Sequence, residues 1–371
     1  MKKFLFLLFI PCLIFCETNI YYNLGIDSYF KNNLEDSLSN FKKATSAFPD
    51  SFLSWFYLGK TYYRLKMNKE AKNALLKASL LSPDDTKSRL LISQILMEEE
   101  DYKKAGASYK DVLSIDPENL EANLSIGKAY IKLEKFDDAI FYLKKALELA
   151  PDEPDANFSL GCALLSKDEL ESAKDAFTKA ISLESNNPLF YYSRGNAYFR
   201  LADYTSPMDS DFVSIEDYKM AIEFGLCTPD VFFMYGNALL ARGFYYLKTK
   251  NEKKAYDMLE KAIVEYKNAI SLSPGASNAH NNMGLAYYYL DRIDEAISQF
   301  KKAVELEPLI AFFHDNLGDA YYKKGDFKNS LLEFNLVLEL SVDYTPDDKI
   351  LPFPARGIKE KIREAKRRAQ K

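Results

Sequence analysis

Proline recurs in this chain with a period of 34 residues. Pro49, Pro83, Pro117 and Pro151 are evenly spaced, and the same interval separates Pro274 from Pro308. Glycine keeps the period at Gly25 and Gly59, at Gly127, Gly161 and Gly195, and at Gly284 and Gly318. Small residues sit at fixed offsets between them, as Ala71 and Ala78, Ala139 and Ala146, Ala173 and Ala180, Ala296 and Ala303. Large residues recur at Tyr62, Tyr130, Tyr198, Tyr287 and Tyr321, and again at Phe41, Leu75, Tyr109, Leu143, Phe177, Phe300 and Phe334. A repeat this long is a supersecondary unit. It cannot bury its apolar face alone, so copies must stack into a quasi-one-dimensional array with a continuous core.

The pattern resembles the tetratricopeptide repeat, a 34-residue helix-turn-helix unit. In such a unit the small residues let the two helices approach closely, the large ones fill the space between pairs, and Pro, which cannot continue the hydrogen-bond ladder, ends the second helix. The turns of such a unit break each helix after about 12 to 15 residues, below any sustained heptad run, which excludes a coiled coil. Trp55, Leu58, Gly59, Tyr62, Ala71, Leu75, Ala78 and Pro83 fill its positions 4, 7, 8, 11, 20, 24, 27 and 32. The resemblance implies an all-α fold, an α-solenoid of about nine repeats at 18–51, 52–85, 86–119, 120–153, 154–187, 188–228, 229–276, 277–310 and 311–344. Eight of the 14 glycines fall at position 8 and six of the 14 prolines at position 32, with the long repeat 229–276 counted back from its end for Pro274. Neither the residues before this array nor the segment 345–371 has room for a catalytic domain of typical size.

Two repeats are long. In 188–228 the surplus falls at Ala202–Asp211, whose Ser206-Pro207 and clustered Asp and Ser predict a loop. In 229–276 no Pro interrupts Val231 to Ser273, which predicts two helices each lengthened by about two turns and meeting near Lys250-Asn251. Phe244, Tyr245 and Leu247 would face Tyr256 and Leu259 there. Both surpluses lie between the first and second helix of their repeat, so a single protruding feature is expected. The segment 345–371 reads as a linker with Pro346, Pro352 and Pro354, then a helix from Ile358 with Ile362, Ala365 and Ala369 on one face. That helix holds seven basic and two acidic residues in a chain of net charge −5. It suits a solubilising cap, or contact with anionic lipid or an acidic partner. An acidic array does not suit nucleic acid.

Residues 1–16 have the layout of a signal peptide, with Lys2 and Lys3 before the short apolar stretch Phe4 to Phe15. Leu13-Ile14-Phe15-Cys16 resembles a bacterial lipobox, with Phe15 departing from the small residue usual there. Acylation of Cys16, cleavage near residues 16 to 18, and an uncleaved anchor are the alternatives. Each places the protein outside the cytoplasm, in the periplasm or cell envelope.

Two His and four Cys in 371 residues exclude a His-rich metal site and a disulfide scaffold. His280 and His314 both occupy position 4 of their repeats and read as packing residues. Cys162 and Cys227 lie in different repeats, which argues against a disulfide. No phosphate-binding loop, metal motif or nucleophile–base set stands out, so no cofactor, no metal and no catalysis are expected. The resemblance implies a concave groove lined by positions 2, 5, 9, 12 and 13 of each first helix. Carried onto this sequence it assigns Tyr22, Tyr29, Phe56, Lys60, Tyr63, Lys128, Phe158, Tyr192, Asn196, Phe199, Phe233 and Asn237, then Asn281, Tyr288, Asp315, Asp319 and Tyr322. Tyr289 adjoins them. Such aromatics also occur as ordinary packing residues. The carboxylate clamp of some family members is not reproduced, because position 5 of several early repeats is aromatic. An aromatic groove with spaced amides suits a peptide or helix of a protein partner. The expected function is a non-enzymatic scaffold or adaptor of the cell envelope. A tethering subunit of an envelope enzyme, for instance a peptidoglycan-modifying one, and a small-ligand carrier are the alternatives.

Overall fold

The computed structural model describes residues 20–202, 207–340 and 357–370, all helix and turn with no strand among them. The signal peptide, Cys16 and most of the linker lie outside the described residues. Helix α1 covers 20–30. It is followed by α2 (Leu34–Ala47), α3 (Phe52–Arg64), α4 (Asn68–Leu81), α5 (Thr86–Glu98), α6 (Tyr102–Ile115), α7 (Leu120–Lys132), α8 (Phe136–Leu149) and α9 (Pro154–Ser166). These make one compact unit, which ends at Lys167. A second unit begins at Asp168. It holds α10 (Leu170–Leu183), α11 (Pro188–Ala202), α12 (Pro207–Glu223), α13 (Pro229–Lys248), α14 (Glu252–Leu272), α15 (Ser277–Tyr289), α16 (Ile293–Leu306), α17 (Ala311–Lys324), α18 (Phe327–Leu340) and α19 (Ile358–Ala369). Within each unit helices pack against their neighbours in sequence, and first helices also touch the next first helix, as α7 does α9 and α15 does α17. Each unit is an α-solenoid.

The start signals are local. Ser51, Asp85 and Asn119 each accept a hydrogen bond from a backbone N–H of the first turn they precede. In α9 a Pro stands at the start instead, where its missing N–H costs nothing, and α13 has both, with Pro229 in its first turn and Thr228 accepting from the Val231 N–H. Among the described residues, the turn between the two helices of a repeat passes through a left-handed residue, and it is glycine only at Gly325. Asn32, Lys66, Glu100, Glu134, Asp168 and Asp291 hold the same conformation, with φ of 57 to 63°. Packing explains the periodic residues. The eight alanines named above are 0% exposed. A Cβ added at Gly59 would lie 2.6 Å from Leu75 Cγ, and one at Gly236 would lie 2.7 Å from the Tyr266 ring. The large side chain at position 24 therefore rests on the bare backbone at position 8.

Position 4 does more than pack. Trp55 Nε1 donates to the carbonyl of Pro49 at 2.7 Å, and Arg89 to that of Pro83 at 3.0 Å. Asn123 donates to Pro117, Asn157 to Pro151 and Tyr191 to the Ser185 carbonyl. His314 Nε2 lies 2.9 Å from the Pro308 carbonyl. Each donor reaches six residues back and ties the start of a first helix to the turn before it. His280 and His314 are buried, as their packing position predicts.

The seventh repeat is lengthened as its uninterrupted sequence predicts, with α13 of 20 residues and α14 of 21 against 13 and 14 in regular pairs. Phe244, Leu247 and Leu259 join one apolar cluster. Tyr256 is exposed, and Tyr245 instead sets its ring against Tyr246 and under the Arg242 guanidinium. The sixth repeat departs from expectation. Of the expected loop, Ala202 closes α11, residues 203–206 lie outside the described residues, and Pro207 to Asp211 are not loop but the opening of α12. Pro is favoured in a first turn, so the signal that predicts a break here marks a start. The C-terminal helix is present as α19 and packs on α18. No described helix is long and apolar enough to cross a membrane.

Candidate functional site

In the first unit the candidate residues gather around one lysine. The Lys60 ammonium lies 5.5 Å from the ring centres of Tyr29 and Phe56 and 5.4 Å from that of Tyr57. Tyr29 is buried against Tyr57 and also lies under the Arg64 guanidinium at 4.7 Å. Tyr22 sets its edge against Phe41 and Tyr57, and burial followed by Tyr57 raises its hydroxyl pKa. Arg64 spends its hydrogen bonds on Asn32 and the Tyr29 carbonyl. Lys60 has no carboxylate within ion-pair distance among the described residues. It is a half-buried cation held by aromatic faces alone, an arrangement that stabilises charge without neutralising it. Phe30 and Leu53, at neighbouring groove positions, are 73% and 49% exposed.

Other first-unit candidates are committed elsewhere. Tyr63 donates to the Glu98 carboxylate and accepts from Gln94 at 3.0 Å. Burial, then Glu98, pushes its hydroxyl up to about 12. Lys128 pairs with Asp155 at 3.1 Å. Phe158 is half-buried.

In the second unit the amides are used internally. Asn196 accepts from the Tyr218 hydroxyl at 2.8 Å, and Asn237 from the Tyr266 hydroxyl at 2.9 Å. Asn237 also accepts from Asn282, and Asn281, only 1% exposed, accepts from Asn316. The oxygens expected to meet a partner's backbone instead satisfy buried tyrosines and join successive repeats. Tyr192, Phe199, Phe233 and Tyr288 pack on the apolar cluster as partly buried residues. Burial, then Asp319, raises the Tyr288 hydroxyl, and Lys323 lies 4.6 Å over its ring. Tyr289 meets Phe244 edge-on. Tyr322 packs on Phe327 and against the cluster that holds α19 to α18. Asp315 and Asp319 both bind Lys361 of α19, so Asp315 is covered and is not an open groove residue.

Sequence reasoning missed Tyr57, Tyr218, Tyr266 and Lys361. Tyr218 and Tyr266 hold position 24 once the long repeats are counted back from their C-terminal ends, so a signal for them was present. Lys361 offered none beyond lying beside Ile362. Burial pushes the Cys162 thiol up to about 12, and Cys162 and Cys227 are free.

Comparison with known proteins follows the repeat. The cytochrome c-type biogenesis protein H TPR domain family matches residues 41–157. Tetratricopeptide repeat families match 154–187 and 277–308, and a further TPR repeat family matches 258–291. No curated protein matches the sequence. A tetratricopeptide repeat protein from Parabacteroides merdae superposes with a TM-score of 0.51 at 18% identity, over 72% of this chain and 98% of its own. YrrB, described as a TPR protein with an unusual peptide-binding site, gives 0.45 at 20% identity, over 54% and 92%. MamA from Desulfovibrio magneticus gives 0.43 at 23% identity, over 45% and 95%.

Proposed function

Since this chain is a tetratricopeptide repeat protein, we propose that it is an interaction scaffold that recognises a partner peptide or helix and makes or breaks no bond. The observation that carries this reading is the Lys60 setting. A cation held by Tyr29, Phe56 and Tyr57 with no carboxylate in ion-pair reach among the described residues, beside exposed Phe30 and Leu53, matches a segment that offers both an anionic and an apolar group. The aromatic faces supply contact area at little entropic cost, and the ammonium supplies orientation.

The reading extends to place. The leader with Lys2 and Lys3, Cys16 after an apolar stretch, and the match to a cytochrome c-type biogenesis TPR domain together support an exported adaptor of the cell envelope, held by acylated Cys16. Mass spectrometry of the processed N-terminus tests the anchor. Acyl chains on Cys16 are the expected result, and a mature chain beginning at Glu17 or later rejects it. The scaffold reading is tested by affinity capture from detergent-solubilised envelope with full-length protein. Phe56→Ala with Lys60→Glu is expected to lose the captured partner while the melting curve keeps its shape. Tyr192→Ala with Phe233→Ala tests the second unit separately. Unchanged capture by all variants would sink the reading.

A further inference from the structure

Asp315 and Asp319 stand one turn apart on α17, and Lys361 of α19 enters between them, 2.7 Å from an oxygen of each. The Lys361 side chain is 9% exposed and that of Asp315 6%. Burial works to lower the ammonium's pKa, but Asp319 and Asp315 outweigh it and raise it, so the charge is retained. The Phe334 ring centre lies 5.5 Å from the same ammonium. Ile362 and Ala365 are buried with Phe334, flanked by Ile358, Leu331 and Tyr322. The opposite face of α19 exposes Lys359, Arg363, Lys366, Arg367 and Arg368.

The same join occurs twice earlier in this unit with neutral groups. Asn282 donates to Asn237 at 2.9 Å and Asn316 to Asn281 at 2.8 Å. In both, position 6 of one first helix meets position 5 or 9 of the first helix before it. Helix α19 thus occupies the place of one more first helix, with Lys361 in the part of the amide. The chemistry differs: two carboxylates select a cation, whereas an amide oxygen accepts from any donor.

We propose that this end of the last repeat is a docking site for a basic amphipathic helix of a partner protein, and that α19 fills it in cis. The matching helix carries Lys or Arg followed by apolar residues one and four positions later, as Lys361, Ile362 and Ala365 do. The proposal shares with the scaffold reading only the premise that the partner is a protein, and it uses neither Lys60 nor the aromatic residues tested there. The probe is a fluorescent peptide of residues 357–371, titrated by anisotropy against full-length protein. Wild type is compared with Ile362→Asp/Ala365→Asp, which loosens the chain's own α19. Removing a tethered competitor should tighten peptide binding by at least about tenfold. A peptide with Lys361→Glu should not bind. Asp315→Asn/Asp319→Asn in the loosened background should abolish the gain, with circular dichroism melts confirming that each protein is folded. Equal affinity for wild type and loosened protein, or equal binding of a scrambled peptide of the same charge, overturns the proposal. So does a wild-type dimer in light scattering with α19 cross-linked between copies, which would make the occupant a second copy.

Discussion

Close approach at single residues sets the tolerance of the repeat. At Gly59 any side chain meets Leu75. Gly59→Ala should therefore lower stability by about 1–3 kcal/mol, the usual cost of overpacking, measured by urea unfolding. The opposite holds at the left-handed turn residues. Glu134 has φ of 57° without being glycine. Glu134→Gly relieves strain of about 1–2 kcal/mol and gives back about half to one in unfolded-state entropy, so a gain of roughly 0.5–1 kcal/mol is expected. A destabilised variant would show that Glu134 makes a compensating contact. His314 supplies a pH dependence. Its Nδ1 lies 2.7 Å from a Glu333 oxygen and its Nε2 2.9 Å from the Pro308 carbonyl, two acceptors that favour the imidazolium. The Glu333 hydrogen bond leads in raising its pKa from 6.5, against a smaller opposing effect of burial. A raised folded value means the contribution is full below the unfolded value and lost as pH rises through the folded one. The stability difference between wild type and His314→Asn should thus be largest below about pH 6.5 and shrink as pH rises. A difference that grows with pH would contradict this.

Among the elements, α11 and α12 are joined by an ion pair where a regular repeat has Leu at position 7. Arg194 binds both oxygens of Asp217 at 2.7 and 2.9 Å, and the Asp217 side chain is 3% exposed. Asp217→Ala leaves a half-buried guanidinium without its carboxylate, and a loss of about 3–5 kcal/mol is expected in chemical denaturation. Element positions were largely legible, because Pro, Gly and Ala report directly on where a helix stops and where two helices touch. The lengthening of α13 and α14 could be read from the absence of Pro between Val231 and Ser273. The start of α12 could not, since Ser-Pro with acidic neighbours fits a turn and a helix N-terminus equally well. Site residues were less legible for a related reason. Asn196 and Asn237 occupy groove positions by spacing. Whether an amide faces a partner or a tyrosine hydroxyl depends on a residue more than twenty positions away.

For the molecule as a whole, stacking makes stability a sum over neighbours. Leu143 is fully buried in the first unit, in a cluster with Ile126, Tyr130 and Ala139. Leu143→Ala should cost about 2–5 kcal/mol. By hydrogen exchange, protection should fall most in α7 and α8, less in α6 and α9, and little in α13 to α18. A uniform loss across both units would show that they unfold as one body.

The hydrogen bond to the carbonyl six residues upstream is made in turn by an indole, a guanidinium, two carboxamides, a phenol and an imidazole. Nothing in size, shape or charge unites that set, which shares only a hydrogen to give. Kinship among such repeats at this position is therefore invisible to any scale of hydrophobicity or volume, and the tie is lost by the changes chemists would rank mildest, Trp to Phe, Asn to Leu or Tyr to Phe, while the seventh repeat, with Phe232 at this position, has no such hydrogen to give.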